Sequence, residues 1–234
     1  MEEASAIVRL RKLSEKPIPG RFDYDHMKAI HRYVFQDVYE WAGQERVAPI
    51  GQFMVKDGHC FYGAGAQLTA AAEAEYAKLA AKDLLRGLGH DEFVDQLAES
   101  WGELNVVHSF REGNTRAQFA FFSQLAEQAG YRLDVLKFAP GAPLREEFVQ
   151  ARFHSQDTGR NDRLAAVLRQ AVVPLDQDSP AAGSGPGQVS QVWRAGYPQS
   201  AADALRSRLP ALGPQAHRSP DLPDRGAEGS GPER

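Results

Sequence analysis

The 234-residue chain holds a single cysteine, Cys60, so it can build neither an internal disulfide nor a multi-thiolate metal centre. No apolar run approaches the roughly 18 residues that a membrane-spanning helix needs. The opening residues, Met1-Glu2-Glu3-Ala4-Ser5, are acidic and lead into no apolar stretch of signal-peptide type. A surplus of basic charge is missing as well: 27 Lys and Arg stand against 31 Asp and Glu, for a formal net charge of −4. Without a molecule-wide basic field, nucleic acid gripped through its phosphates is a poor first candidate as partner. What remains is a soluble, reduced protein with no membrane segment. It is expected in the cytoplasm, unless it is delivered into a host or recipient cell. Its 42% hydrophobic and 25% charged residues suit a globular fold.

Lysine is absent altogether from residues 176–234, which hold eight of the 14 prolines and eight of the 21 glycines. That tail has too little apolar surface to offset its ordering entropy and is expected to be largely disordered. Within it, Ser200 to Asp203 resembles a capping box, with Ala204, Leu205 and Leu209 following, so a short helix or docking segment is expected there. The organisation read from the sequence is an N-terminal extension over 1–21, one folded domain over 22–175, and the tail.

The folded part reads as mainly α. Met27, Ile30, Val34 and Phe35 recur at helical spacing over 23–35, with Asp23 or Asp25 as N-cap. Further helices are predicted over 67–85, 91–107, 114–129, 144–153 and 163–172, with Gly130 closing the fourth and Pro174 stopping the last. The stretch 46–65 differs. Asp57-Gly58 between short apolar runs is a hairpin signal, and one β-hairpin projecting from a helical bundle is predicted.

Chemistry concentrates in His108-Ser109-Phe110-Arg111-Glu112-Gly113-Asn114-Thr115-Arg116. These residues lie between two strongly periodic helices, so they form a tight loop that opens the second. Gly113 frees the backbone and Asn114 is read as the N-cap. The unpaired N–H groups of Asn114, Thr115 and Arg116, with the helix dipole behind them, make a cradle for a phosphate. Arg116 adds a charged fork for a second phosphate. Glu112 offers a hard carboxylate oxygen for Mg²⁺, and His108 can take a proton from a hydroxyl at neutral pH. Each has a plainer reading: a histidine before a turn is commonly a hydrogen-bonded core residue, and Glu-Gly-Asn is commonly only a loop. His26 and His31, in the first predicted helix, are read as structural.

The stretch 108–116 closely resembles the signature of the Fic family, His-x-Phe-x-Asp/Glu-Gly-Asn-Gly-Arg. Upstream, the run from His31 to Gly43, together with Arg46, is similar to the segment that precedes the family's substrate-aligning flap. The lead Glu103-Leu104-Asn105 is similar too, so the resemblance covers about residues 20–175. It implies a helical bundle with a β-hairpin flap over the active site, and transfer of AMP from ATP-Mg²⁺ to a Ser, Thr or Tyr hydroxyl of a target protein. Carried over by position, it makes His108 the general base and Glu112 the Mg²⁺ ligand. Gly113, Asn114, Thr115 and Arg116 become the nucleotide-phosphate cradle. The hairpin near 52–61 becomes the flap that pairs with the target's backbone.

The chain departs from the pattern at three places. Thr115 replaces a common Gly, Ser109 a frequent Pro, and Phe119 the second arginine of the longer signature, which reaches the γ-phosphate. Phe119 shares a helical stripe with Phe122, Ala126 and Ala129, so core packing is its plain reading. Its sharper reading is altered handling of the triphosphate. Two alternatives to AMP transfer therefore stay open: phosphotransfer or other nucleotidyl transfer of the Doc type, and a binding module whose chemistry has lapsed. The family's inhibitory motif, Ser/Thr-x-x-x-Glu-Gly/Asn, has no complete copy in the sequence. A separate small antitoxin partner is accordingly an expectation, as is, by family alone, a type II topoisomerase as target.

Overall fold

Apolar spacing sets the helices. The computed structural model describes residues 2–56, 58–139 and 141–175, and the expectations for the tail, including the short helix near residue 200, lie outside the described residues. The described part carries seven α-helices and two small antiparallel sheets. No described helix is long and apolar enough to cross a membrane.

Helix α1 (Glu2–Glu15) forms where only an extension was expected. Ala6, Ile7, Leu10 and Leu13 make a narrow apolar stripe, each no more than 5% exposed, and belong to the common core. The stripe packs on α2 (Tyr24–Phe35) and α5 (Asn114–Gln128). Asp23 caps α2 as read, its carboxylate accepting the His26 N–H at 2.9 Å.

Between α2 and α3 (Ala66–Ala81) stands the hairpin, β1 (Phe53–Lys56) against β2 (His59–Tyr62). Lys56 pairs with His59, so the connection is two residues long, with Gly58 at φ +86° as such turns require. Helix α3 stops short of its predicted end. Asp83, Leu84 and Leu85 all take left-handed φ, and the resulting turn drops Leu85 fully into the core.

Helix α4 (His90–Val107) carries Phe93, Leu97 and Trp101 into the core, where Trp101 stacks on Phe122 of α5 at 4.5 Å. A second sheet was not foreseen. Here β3 (Tyr131–Leu133) pairs with β4 (Val172–Pro174), Arg132 opposite Val173. The final helix, α7 (Asp162–Arg169), therefore ends before Val172, whose backbone goes to the strand ladder instead. Helix α6 (Pro143–Thr158) runs longer than its pattern suggested, from Pro143 in the first turn to Gly159 at φ +69°.

If α1 is part of the folding unit, Leu10→Ala should destabilise the domain by about 2–4 kcal/mol in urea denaturation of the full chain. A change below about 0.5 kcal/mol would make α1 a dispensable appendage.

Candidate active site

Two left-handed residues bracket the loop between α4 and α5. His108 closes α4 at φ +48°, and Gly113 precedes α5 at φ +79°. Gly113 has a steric reason as well: a Cβ there would lie 2.4 Å from the Phe35 ring. Asn114 does not serve as the N-cap predicted for it. Gly113 holds that position, and Asn114 is the first helical residue. Its side-chain amide reaches back across the loop, Oδ1 accepting the Phe110 N–H at 2.8 Å and Nδ2 donating to the Phe110 carbonyl at 2.6 Å. The reason is burial: with Asn114 only 6% exposed, both polar ends need partners, and Phe110 supplies both.

His31 holds the same loop from α2. Its Nε2 donates to the Glu112 carbonyl at 2.9 Å, its Nδ1 accepts the Gly43 N–H at 2.9 Å, and its ring stacks on Phe110 at 3.8 Å. Burial depresses its pKa to about 4, so the imidazole is neutral and its tautomer is set by these two bonds. His26 is structural too, donating to the Ile18 carbonyl at 2.9 Å.

Arg46 is the tie to which sequence reasoning gave no role. It is 6% exposed; its N–H donates to the Ser109 carbonyl at 2.9 Å and its Nε to the His108 carbonyl at 2.8 Å. Its Nη2 donates to the Tyr62 carbonyl of β2, so one side chain joins flap and motif. Only its place three residues after Gly43 hinted at this.

The flap packs through β2 on α4 and α6. Phe61 lies 4.6 Å from the His108 ring, and His59 stacks on Phe153 at 3.8 Å with Nδ1 2.8 Å from Asp157 Oδ1. Cys60 is exposed. Phe53 and Val55 of β1 also face outward, 66% and 69% exposed.

His108 itself is half-buried, and its Nδ1 is buried with no hydrogen-bond partner. Burial first, and then the positive charges of Lys56, Arg152 and Arg46, lower its pKa to about 3. Glu112, Thr115 and Arg116 follow on the same loop and first turn. The Arg116 guanidinium lies over the Phe35 ring at 4.6 Å, and Thr115 Oγ1 accepts from Arg152 Nη1 at 3.1 Å. Phe119 takes its plain reading: 3% exposed, it meets Trp101, Phe138 and Phe148 at 4.9–5.3 Å. All six predicted site residues thus lie on one loop and helix start, with Phe61 of the flap against His108.

Fold and site together define a helical domain that presents a histidine and a helix N-terminus under a strand flap. The Fic/DOC family model matches residues 21–126, and the chain belongs to that family. It is 36% identical over 154 residues to the probable protein adenylyltransferase y4lH of Sinorhizobium fredii, covering 65% of this chain and 74% of that protein. It is 39% identical over 170 residues to the protein adenylyltransferase VbhT of Bartonella schoenbuchensis, covering 73% of this chain but only 33% of that one. Among solved structures it is similar to the N-terminal Fic domain, with bound ADP, of a putative cell filamentation protein from Bartonella quintana. That likeness has a TM-score of 0.65 at 26% identity, covering 75% of this chain and 83% of the other.

Two expectations follow from the geometry. Since His31 holds a folded pKa of about 4 against an ordinary 6.5, the unfolded chain takes up that proton first as pH falls. Its contribution is therefore nil above pH ~7 and destabilising through the window below, by about 3 kcal/mol at pH 4. Urea denaturation should show His31→Gln less stable than wild type at pH 7.5 yet losing less between pH 7.5 and 4.5; equal losses would remove His31 as the cause. Separately, Phe119→Arg should cost about 3–5 kcal/mol in the same assay, because the guanidinium would be desolvated among aromatic rings.

Proposed function

We propose that this chain is a protein adenylyltransferase, moving AMP from ATP to a Ser, Thr or Tyr hydroxyl of a target protein. The observation that carries the reading is the closed loop. His108 and the first turn of α5 are held together by Asn114, His31 and Arg46, in a chain whose Fic/DOC relatives are named adenylyltransferases.

In this reading His108 accepts the proton of the target hydroxyl, whose oxygen attacks the α-phosphorus. The bond from that phosphorus to the bridging oxygen breaks, and pyrophosphate leaves. The N–H groups of Asn114 and Thr115 receive phosphate oxygens, with Arg116 beside them. A pKa of about 3 keeps His108 unprotonated at neutral pH but makes it a weak base. A bound triphosphate opposes the three cations that help to depress it, which raises its basicity when the substrate is present.

Mg²⁺ fits as a companion of the nucleotide rather than as a resident ion. Among the described residues no group of three His, Cys, Asp or Glu side chains could hold a metal. Glu112 alone would hold it, with phosphate oxygens and water completing the shell, and the ion would offset phosphate charge. The outer edge of β1 and its exposed Phe53 and Val55 suit backbone pairing with an extended target segment. Restraint by a separate small partner protein belongs to the same reading, since the inhibitory motif has no complete copy in the sequence.

Incubating the chain and a His108→Ala variant with bacterial lysate, using ATP labelled at the α- or the γ-phosphate, decides the matter. Label on protein from α-ATP alone, at least 100-fold weaker with the variant, is expected. Label from γ-ATP alone would replace this reading with phosphotransfer. No His108-dependent label from either would favour a binding module.

A further inference from the structure

Arg152 stands on α6, 37 residues beyond the Thr115 side chain it touches. Its Nη1 donates to Thr115 Oγ1, within the first turn of α5, at 3.1 Å. Its charge also reaches His108, being one of three that add to burial in lowering the pKa of that imidazole. The guanidinium therefore lies between His108 and the first turn of α5. The unpartnered Nδ1 of His108 is buried in that neighbourhood.

The route by which Arg152 arrives is informative. Its guanidinium carbon lies over the Phe148 ring at 5.4 Å, and Phe148 in turn packs on Phe119 at 5.2 Å. One turn beyond Arg116, α5 offers only the buried Phe119 on this side and no cation. Helix α6 delivers a permanent charge there across the width of one ring.

We propose that Arg152 is a second phosphate-binding arginine, gripping the polyphosphate of a nucleoside triphosphate from the α6 side while Arg116 grips it from α5. The inference rests on the nucleotide reading above and adds a residue to it. Guanidinium suits the task because its planar fork meets phosphate oxygens bidentately. The bond to Thr115 and the Phe148 face fix the fork in advance, so less side-chain entropy is lost when a ligand arrives.

The test uses the full chain with Mg²⁺ and a fluorescent ATP analogue, displaced in turn by ATP, inorganic triphosphate and adenosine. Arg152→Gln should weaken ATP and inorganic triphosphate by about tenfold or more, leaving adenosine within about twofold of wild type. Equal weakening of all three would make Arg152 a support for the loop or a contact to the base, and would overturn the assignment. Unchanged ATP binding would overturn it too. Failure of the wild-type chain to bind ATP at all would bring down the nucleotide reading and this one with it. Should Arg152→Gln not fold, Arg152→Lys keeps the charge and the stem over Phe148 but loses the fork. It should weaken ATP and inorganic triphosphate by about threefold with adenosine unchanged, and equal loss of adenosine would again overturn the assignment.

Discussion

The carbonyl of Glu112 accepts a hydrogen bond from His31, and the ring that donates it lies flat on Phe110. A six-residue loop with two left-handed corners has no regular backbone ladder to hold it, so its shape depends on contacts of this kind. Asn114 closes the loop on itself through Phe110, His31 ties it to α2, and Arg46 ties it to the flap. Because all three side chains are buried, their bonds do not compete with water, and loss of any partner leaves a polar group stranded. His108, Glu112 and the start of α5 inherit their positions from these ties.

The formal charge of −4 gives no hint of the electrostatics that result. Lys56, Arg46 and Arg152 all bear on His108, and Arg116 sits in the first turn of α5. Such a concentration of positive charge beside a helix N-terminus is costly in the unliganded chain and offset when a polyanion enters. In the proposed transfer, the cations that add to burial in lowering the His108 pKa also favour an entering polyphosphate. In that reading, binding and base strength are coupled.

Much of this was legible in the sequence, and the parts that were not share a cause. Helices α2, α4 and α5 announce themselves by apolar spacing, and the motif residues by their adjacency, because both signals are local. Arg46 meets His108 across 62 residues, and Arg152 meets Thr115 across 37. Contacts over such separations leave no periodic trace. The same holds for the β3–β4 pairing, which joins residues 131–133 to 172–174 and converts an expected helix end into a strand. Helix α1 was missed for a different reason: four buried apolar residues in a 14-residue segment rich in charge make a faint stripe. Asn114 was misread because residue type names a capping preference, whereas burial decides which backbone groups its amide reaches.

Helix α6 joins the two halves of the site. A hairpin of two four-residue strands is marginal on its own, so the flap's height above His108 must be set from outside. Arg46 fixes its base through Tyr62, and α6 fixes its outer end. His59 stacks on Phe153 and meets Asp157, while Gln156 donates to the Cys60 carbonyl and receives Asn105 of α4. One turn earlier, the same helix turns Arg152 toward the first turn of α5. A shift of α6 would therefore move the hairpin and the Arg152 guanidinium together. Placement of the flap and of Arg152 is in that sense a single packing problem, solved by the aromatic cluster in which Phe148 of α6 meets Trp101, Phe119 and Phe138. An arginine at position 119 would break that cluster, so core packing and not the site dictates the residue there.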